Sequence, residues 1–181
     1  MKYLLENEET DRLCFQKVNL SDFDRWLSFF KDPTSFAYWK GEFEKPEIEC
    51  EKWFARQAER YKNDEGGMNT LIEKKSQELV GYCGLLAQTV DEKKELEIAY
   101  SLLFHYRNKG FASEAARKCR DFAFENHFSD SLISIVSLTN SPSARVAFKN
   151  GMQIEKQTIY NKNQVNIFRI NKSDWLKNCT P

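Results

Sequence analysis

The chain of 181 residues is 41% apolar, 14% aromatic and 30% charged, a composition that excludes a disordered or fibrous polypeptide and allows roughly 70% of the unfolded chain's surface to be buried. Its 27 Lys and Arg balance 27 Asp and Glu, so no global field exists to hold a nucleic-acid backbone by counterion release. Met1 to Leu5, followed by Glu6, Glu8 and Glu9, lacks the apolar stretch of a signal peptide, and no segment reaches the length of a membrane span. A cytoplasmic protein with no nucleic-acid or membrane partner is expected. The cysteines at 14, 50, 83, 119 and 179 are odd in number and have no CxxC spacing, which argues for free thiols and against a zinc or other metal site.

In chain order, Thr10 to Val18 reads as a strand, and Asn19-Leu20-Ser21 caps a helix over Asp22 to Lys31. A loop with Pro33 and the aromatics Phe36, Tyr38, Trp39 and Phe43 leads to Pro46, which suits the first turn of a helix running to about Asn63; Gly66-Gly67 is read as its breaker. Met68 to Lys75, Leu79 to Gln88 and Glu95 to Phe104 are β-like runs separated by polar turns and read as an antiparallel meander. Ala112, Ala115, Ala116, Cys119, Phe122 and Ala123 recur at helical spacing. Ser131 to Leu138 is a β-branched run and Pro142 to Lys149 a short helix. Ile154 to Tyr160 with Val165 to Ile170 is a final hairpin.

No linker or repeat interrupts this order, so residues 1–181 are expected to form one domain. The strand-helix-strand crossover from 95 to 138 makes that strand pair parallel. The expected fold is mixed α/β, a single largely antiparallel sheet with one parallel pair, flanked by helices.

Arg107-Asn108-Lys109-Gly110-Phe111-Ala112 lies between a strand and the start of the amphipathic helix. Unpaired N–H groups and the helix dipole favour an anion there, Gly110 permits positive φ, and Arg107 and Lys109 add charge. A pyrophosphate fits this loop. So does the alternative of an ordinary strand-to-helix connection.

Four segments together resemble the GNAT acetyltransferases and their branch that acetylates ribosomal-protein N-termini. They are Thr10-Asp11-Arg12-Leu13, Glu97-Ile98-Ala99-Tyr100-Ser101-Leu102, Lys109-Gly110-Phe111-Ala112-Ser113-Glu114-Ala115, and Asn140-Ser141-Pro142-Ser143 with Phe148-Lys149-Asn150-Gly151-Met152. The family pattern usually has Gly at the position of Ala99, an aromatic at Ser101 and Asp-Pro at Leu103-Phe104, departures that fall on the acceptor side.

The resemblance implies an acyl-CoA-dependent N-acyltransferase that moves an acetyl group from acetyl-CoA, its cosubstrate, to an amine such as a peptide N-terminus. It also implies that the parallel strands splay, with the pantetheine lying between them and the pyrophosphate on loop 107–112. Glu97, mid-strand on the face opposite Leu96, Ile98 and Tyr100, stands where the family carries an acidic residue suited to accept a proton. Its alternative is a solvated or salt-bridged strand glutamate. By analogy the oxyanion meets a backbone N–H near Leu102 or Leu103.

Asn140 can hydrogen-bond CoA or steer the acceptor, and Ser143 can protonate the leaving thiolate. Helix capping is the alternative for both, and Tyr160 is a second candidate acid. His105 and His127 are assigned structural roles. The early aromatics, with Trp53 and the glutamates at 42, 44, 47, 49 and 51, flank the acceptor side and read either as core with a solvated acidic face or as a surface for a cationic amine. The rival from another class is a non-catalytic acyl-CoA-binding module that uses the same loop as a sensor.

Overall fold

The computed structural model describes residues 2–179, with the backbone alone for 178 and 179. Seven strands form one sheet in the order β1-β2-β3-β4-β5-β7-β6, where β1 is Leu13–Lys17, β2 Gly66–Glu73, β3 Leu79–Val90, β4 Lys93–Leu102, β5 Ser131–Ser137, β6 Gln153–Tyr160 and β7 Asn163–Asn171. Every neighbouring pair is antiparallel except β4 with β5. The fold class expected from the sequence is therefore the one observed.

Each helix follows from its end signals and apolar spacing. Asn19 accepts from the Ser21 N–H at 2.9 Å and opens a 3-10 turn that runs into α1, Phe23–Lys31, which buries Trp26 and Phe30. Pro46 starts α2, Pro46–Lys62, whose inward residues are Cys50, Phe54 and Gln57. The spacing-based helix is α3, Phe111–Glu125, burying Phe111, Ala115, Ala116, Cys119, Ala123 and Phe124, with Ala112 and Phe122 packed at its margin. α4 is Ser141–Lys149. These helices sort to opposite faces: α3 and α4 cover a core of Leu13, Phe15, Leu85, Leu96, Ile98 and Val136, whereas α1 and α2 pack Trp26, Phe30 and Phe54 onto Met68, Ile72, Tyr82 and Leu86.

Some boundaries differ from the expectation. Gly66 and Gly67 do not break α2, which has ended at Lys62; they begin β2. The reason is close backbone approach across the sheet: a Cβ on Gly84 in β3 would lie 2.0 Å from the Gly67 carbonyl oxygen. β3 and β4 extend to a tight turn at Asp91 and Glu92, both at positive φ (47° and 65°), the geometry that matches strand twist in a two-residue hairpin. β7 inserts between β5 and β6, an order the hairpin reading did not contain. A further helix, α5 (Lys172–Cys179), follows β7.

Candidate active site

β4 and β5 run parallel but register at a single pair, Glu97 with Ile133. Beyond that pair side chains replace the ladder. The Ser134 hydroxyl donates to the Ile98 carbonyl at 2.8 Å, and the Ile135 backbone N–H donates to the Glu97 carboxylate. Further out, the Tyr100 hydroxyl crosses to the Ser143 carbonyl on α4 at 2.9 Å. Buried backbone groups must find partners, and here polar side chains supply them while the strands separate.

Glu97 occupies the point of divergence. It is 8% exposed, so the solvated-strand alternative does not describe it. The Gln88 amide donates to its Oε2 at 2.7 Å. The orientation of that amide is fixed on its other side, because its Oε1 accepts from Arg60 at 3.1 Å and from the Tyr160 hydroxyl at 3.1 Å, and a guanidinium can only donate. Burial pushes the Glu97 carboxyl above the ordinary range, against the opposing pull of Gln88, Ile135 and the charge of Arg60. Burial, with the Glu97 charge, likewise raises the Tyr160 phenol. A carboxyl whose pKa is raised, joined to a phenol through one amide, is equipped to take up a proton more readily than a surface glutamate.

On α4 the cap is Asn140, and Ser143 is the residue whose N–H it satisfies. The Asn140 side-chain oxygen accepts from the Ser143 N–H at 3.1 Å. Burial raises the Tyr100 phenol, and the Ser143 side chain, hydrogen-bonded beside it, pulls the other way. At the end of β4 the Leu103 N–H donates to the Val80 carbonyl at 3.0 Å, which removes Leu103 from the candidate oxyanion donors. Leu102, one residue earlier, pairs opposite Gly81 and is buried. Alternation turns its N–H to the β5 side.

The loop before α3 carries the second half of the site. Gly110 stands at the helix N-cap with φ +87° and offers no side-chain cap. Glu114 makes the first intrahelical bond, to the Gly110 carbonyl at 3.1 Å, so the N–H groups of Phe111, Ala112 and Ser113 open outward as an anion site. Asn108, at φ 61°, and Lys109 are exposed.

Arg107 does not add its charge here, contrary to the expectation. Its guanidinium donates to the Leu102 carbonyl at 3.1 Å and to the Thr34 and Ser35 hydroxyls at 2.7 Å each, and it pairs with Asp32 at 2.9 Å. Its charge is already met by a carboxylate of the α1–α2 connection. Arg107 thus ties that connection to the end of β4.

The acetyltransferase (GNAT) domain family matches residues 12–153. The chain belongs to the GNAT acetyltransferases. It is 30% identical over 130 residues, 70% of this chain and 73% of the other, to a Bacillus subtilis (strain 168) protein called YkkB. Among solved structures it is similar to an acetyltransferase from Agrobacterium tumefaciens str. C58 (TM-score 0.77, 22% identity, 94% of this chain and 97% of that one). It is also similar to RimL, a ribosomal α-N-protein acetyltransferase in complex with coenzyme A (TM-score 0.72, 13% identity, 91% and 97%). At those identities the likeness is one of fold, and the resemblance read in the sequence agrees with it.

Membership makes this chain an N-acetyltransferase, and several elements of its GNAT site escaped sequence reading. Gln88 and Tyr100 are ordinary strand residues until the β3–β4 register puts Gln88 diagonal to Glu97 and the splay turns Tyr100 toward α4. Asn163 is buried and chelates the Lys40 backbone, accepting from its N–H at 2.6 Å and donating to its carbonyl at 3.2 Å. It pins the α1–α2 connection at the end opposite Arg107. Among the early aromatics, Phe36 and Trp53 pack into the α1–α2 core, and Trp39 packs with Tyr160 on the cluster of Val90, Ile133, Ile135, Val165 and Ile167. The acidic run is met by lysines: Glu47 pairs with Lys31, and Glu44 and Glu49 with Lys52. That favours the solvated-face reading of those glutamates.

Proposed function

We propose that this GNAT chain acts as one acetyltransferase domain in the cytoplasm, using acetyl-CoA as cosubstrate and a primary amine as acceptor, either a peptide N-terminus or a small amine. The observation that carries the proposal is the buried Glu97 carboxyl at the single registered pair of the splayed strands, with the anion-ready start of α3 on the same strand's far end. The backbone of Asn108 to Ala112, with Lys109, is suited to the diphosphate. The gap between β4 and β5, edged by Leu102 and Asn140, suits the amide-bearing arm. Asn140 is suited to hold that arm through its side-chain NH2, which its capping role leaves unused.

Glu97 then takes the ammonium proton, directly or through water, so that the amine attacks the thioester carbonyl. Its raised pKa makes it a better base than a surface glutamate. The Leu102 N–H is the remaining candidate for the developing oxyanion, and Ser143, whose side chain lies beside the Tyr100 phenol, is the acid for the departing thiolate. Tyr160 is the alternative acid, and its coupling to Glu97 through Gln88 favours a role on the amine side. The carboxyl, which a passive acyl-CoA sensor has no need to bury, favours the enzyme over that rival. The test is release of free CoA thiol from acetyl-CoA against a panel of peptides, polyamines and aminoglycosides, comparing wild type with Glu97→Gln. An acetylated product with wild type and a strong loss with the variant are expected, whereas thiol release that ignores both acceptor and variant refutes it.

A further inference from the structure

We propose that Arg12, and not Arg107, is the arginine that serves the diphosphate site. This rests on the reading of loop 108–112 as that site. Arg12 lies just before β1, far from the loop in sequence, yet its guanidinium bridges the loop to the first turn of α3. One amino group donates to the Lys109 carbonyl at 3.0 Å, and Nε donates to the Glu114 carboxylate at 2.6 Å, with the ion pair closing at 2.5 Å. The same guanidinium stacks on the Phe111 ring at 4.4 Å from its centroid. It stands 3.3 Å from where a Cβ on Gly110 would lie, so it borders the open side of the glycine.

This arrangement answers two problems of an anion site built on this sequence. A glutamate in the first turn of α3 would repel a diphosphate at the same helix end. Glu114 is instead bound from three sides, accepting also from the Thr10 hydroxyl at 2.6 Å and the Arg12 N–H at 3.0 Å. Burial pushes its carboxyl up, but Thr10 and Arg12 outweigh burial and hold it below the usual range, so it stays charged and neutralised by Arg12. Second, a loop carbonyl facing the anion would oppose the helix dipole. Arg12 holds the Lys109 carbonyl to itself. Three of its five N–H groups serve these contacts and its side chain is 45% exposed, which leaves a cationic edge beside Gly110 for a phosphate oxygen. Arg107, satisfied by Asp32, Thr34, Ser35 and Leu102, keeps no comparable edge.

The probe is CoA itself, titrated by calorimetry into wild type, Arg12→Gln, Arg12→Lys, Arg107→Gln and Gly110→Asp at several sodium chloride concentrations, with folding of each checked by circular dichroism. Arg12→Gln is expected to weaken CoA binding by about tenfold or more and to flatten the dependence of affinity on salt, because one cation has left the site. Arg12→Lys, which keeps the charge and loses the fork, should fall between, and it carries the test if Arg12→Gln does not fold. Arg107→Gln should bind CoA within about twofold of wild type. Wild-type affinity and an unchanged salt slope in both Arg12 variants overturn the proposal, as does a loss in Arg107→Gln equal to that in Arg12→Gln. Wild-type affinity in Gly110→Asp is a different failure: it removes the loop as the CoA site, and with it the reading on which the role of Arg12 rests.

Discussion

Replacing Glu97 by Gln removes the proton acceptor and little else in shape, and the structure lets its consequences be worked out. The carboxylate accepts from two donors, the Gln88 amide and the Ile135 N–H. A glutamine has one oxygen, so one donor faces its NH2 unless Gln88 turns, and Gln88 is held by Arg60 and Tyr160. A donor left unpaired costs about 1 to 3 kcal/mol, offset by the relief of no longer burying a charge. The sign with pH follows from the raised pKa of Glu97. Its folded value lies above its unfolded one, so the stability it lends is complete below the unfolded pKa and is lost as pH rises through the folded pKa. The variant should therefore gain ground on wild type as pH rises above about 4.3 and through the folded pKa.

Activity should move the other way. A general base is worth about 10²- to 10⁴-fold, and the need for it depends on the acceptor: at pH 7 roughly 14% of a peptide α-amine is neutral, against roughly 0.04% of a lysine-like amine. Turnover of Glu97→Gln should fall at pH 7 with acetyl-CoA binding intact. For an α-amine the deficit should close by about pH 9, and for a polyamine it should persist. The assay is turnover against pH for both proteins with each acceptor class at saturating acetyl-CoA, alongside thermal melts. Equal turnover at pH 7 with every working acceptor refutes the role of Glu97.

Ser143→Ala keeps the backbone bonds of residue 143 to Asn140 and Tyr100, so its melting temperature should stay near wild type while turnover drops; full turnover would pass the acid role to Tyr160. Asn140→Ala removes the α4 cap and should cost about 0.5 to 2 kcal/mol, read as a melting point lower by several degrees. Gly84→Ala drives a Cβ to 2.0 Å from the Gly67 carbonyl oxygen and should destabilise the fold by more than about 3 kcal/mol, measured by denaturant titration. Cys83 and Cys119, both 0% exposed and 3.5 Å apart between β3 and α3, should resist alkylation in the native protein and react only on unfolding, as followed by mass spectrometry; burial further suppresses the Cys119 thiolate. Rapid native labelling of either would contradict the packing of α3.

Local signals carried much of this protein. Asn19, Pro46 and the spacing of Ala112 to Ala123 encode helix starts and a buried face within a few residues of chain, and the crossover from β4 through α3 to β5 makes a parallel pair because the helix carries the chain back to the end of the sheet where β4 began. The candidate residues Glu97, Gly110, Asn140 and Ser143 were legible for the same reason, since each belongs to a short motif with its own geometry. What the sequence could not reveal depends on contacts between distant segments. Arg107 reads as a phosphate ligand because it adjoins Gly110 in the chain, yet Asp32, more than seventy residues earlier, takes its charge. Arg12 reads as part of an opening strand, and only the packing of β1 beside α3 sets it on the loop. Glu97 is a solvated glutamate or a buried one according to what surrounds it, and it is Gln88, Ile135, Arg60 and Tyr160, from four different elements, that gather there. Charges and hydrogen bonds act through space, so the choice among partners, and with it burial and pKa, belongs to the tertiary structure.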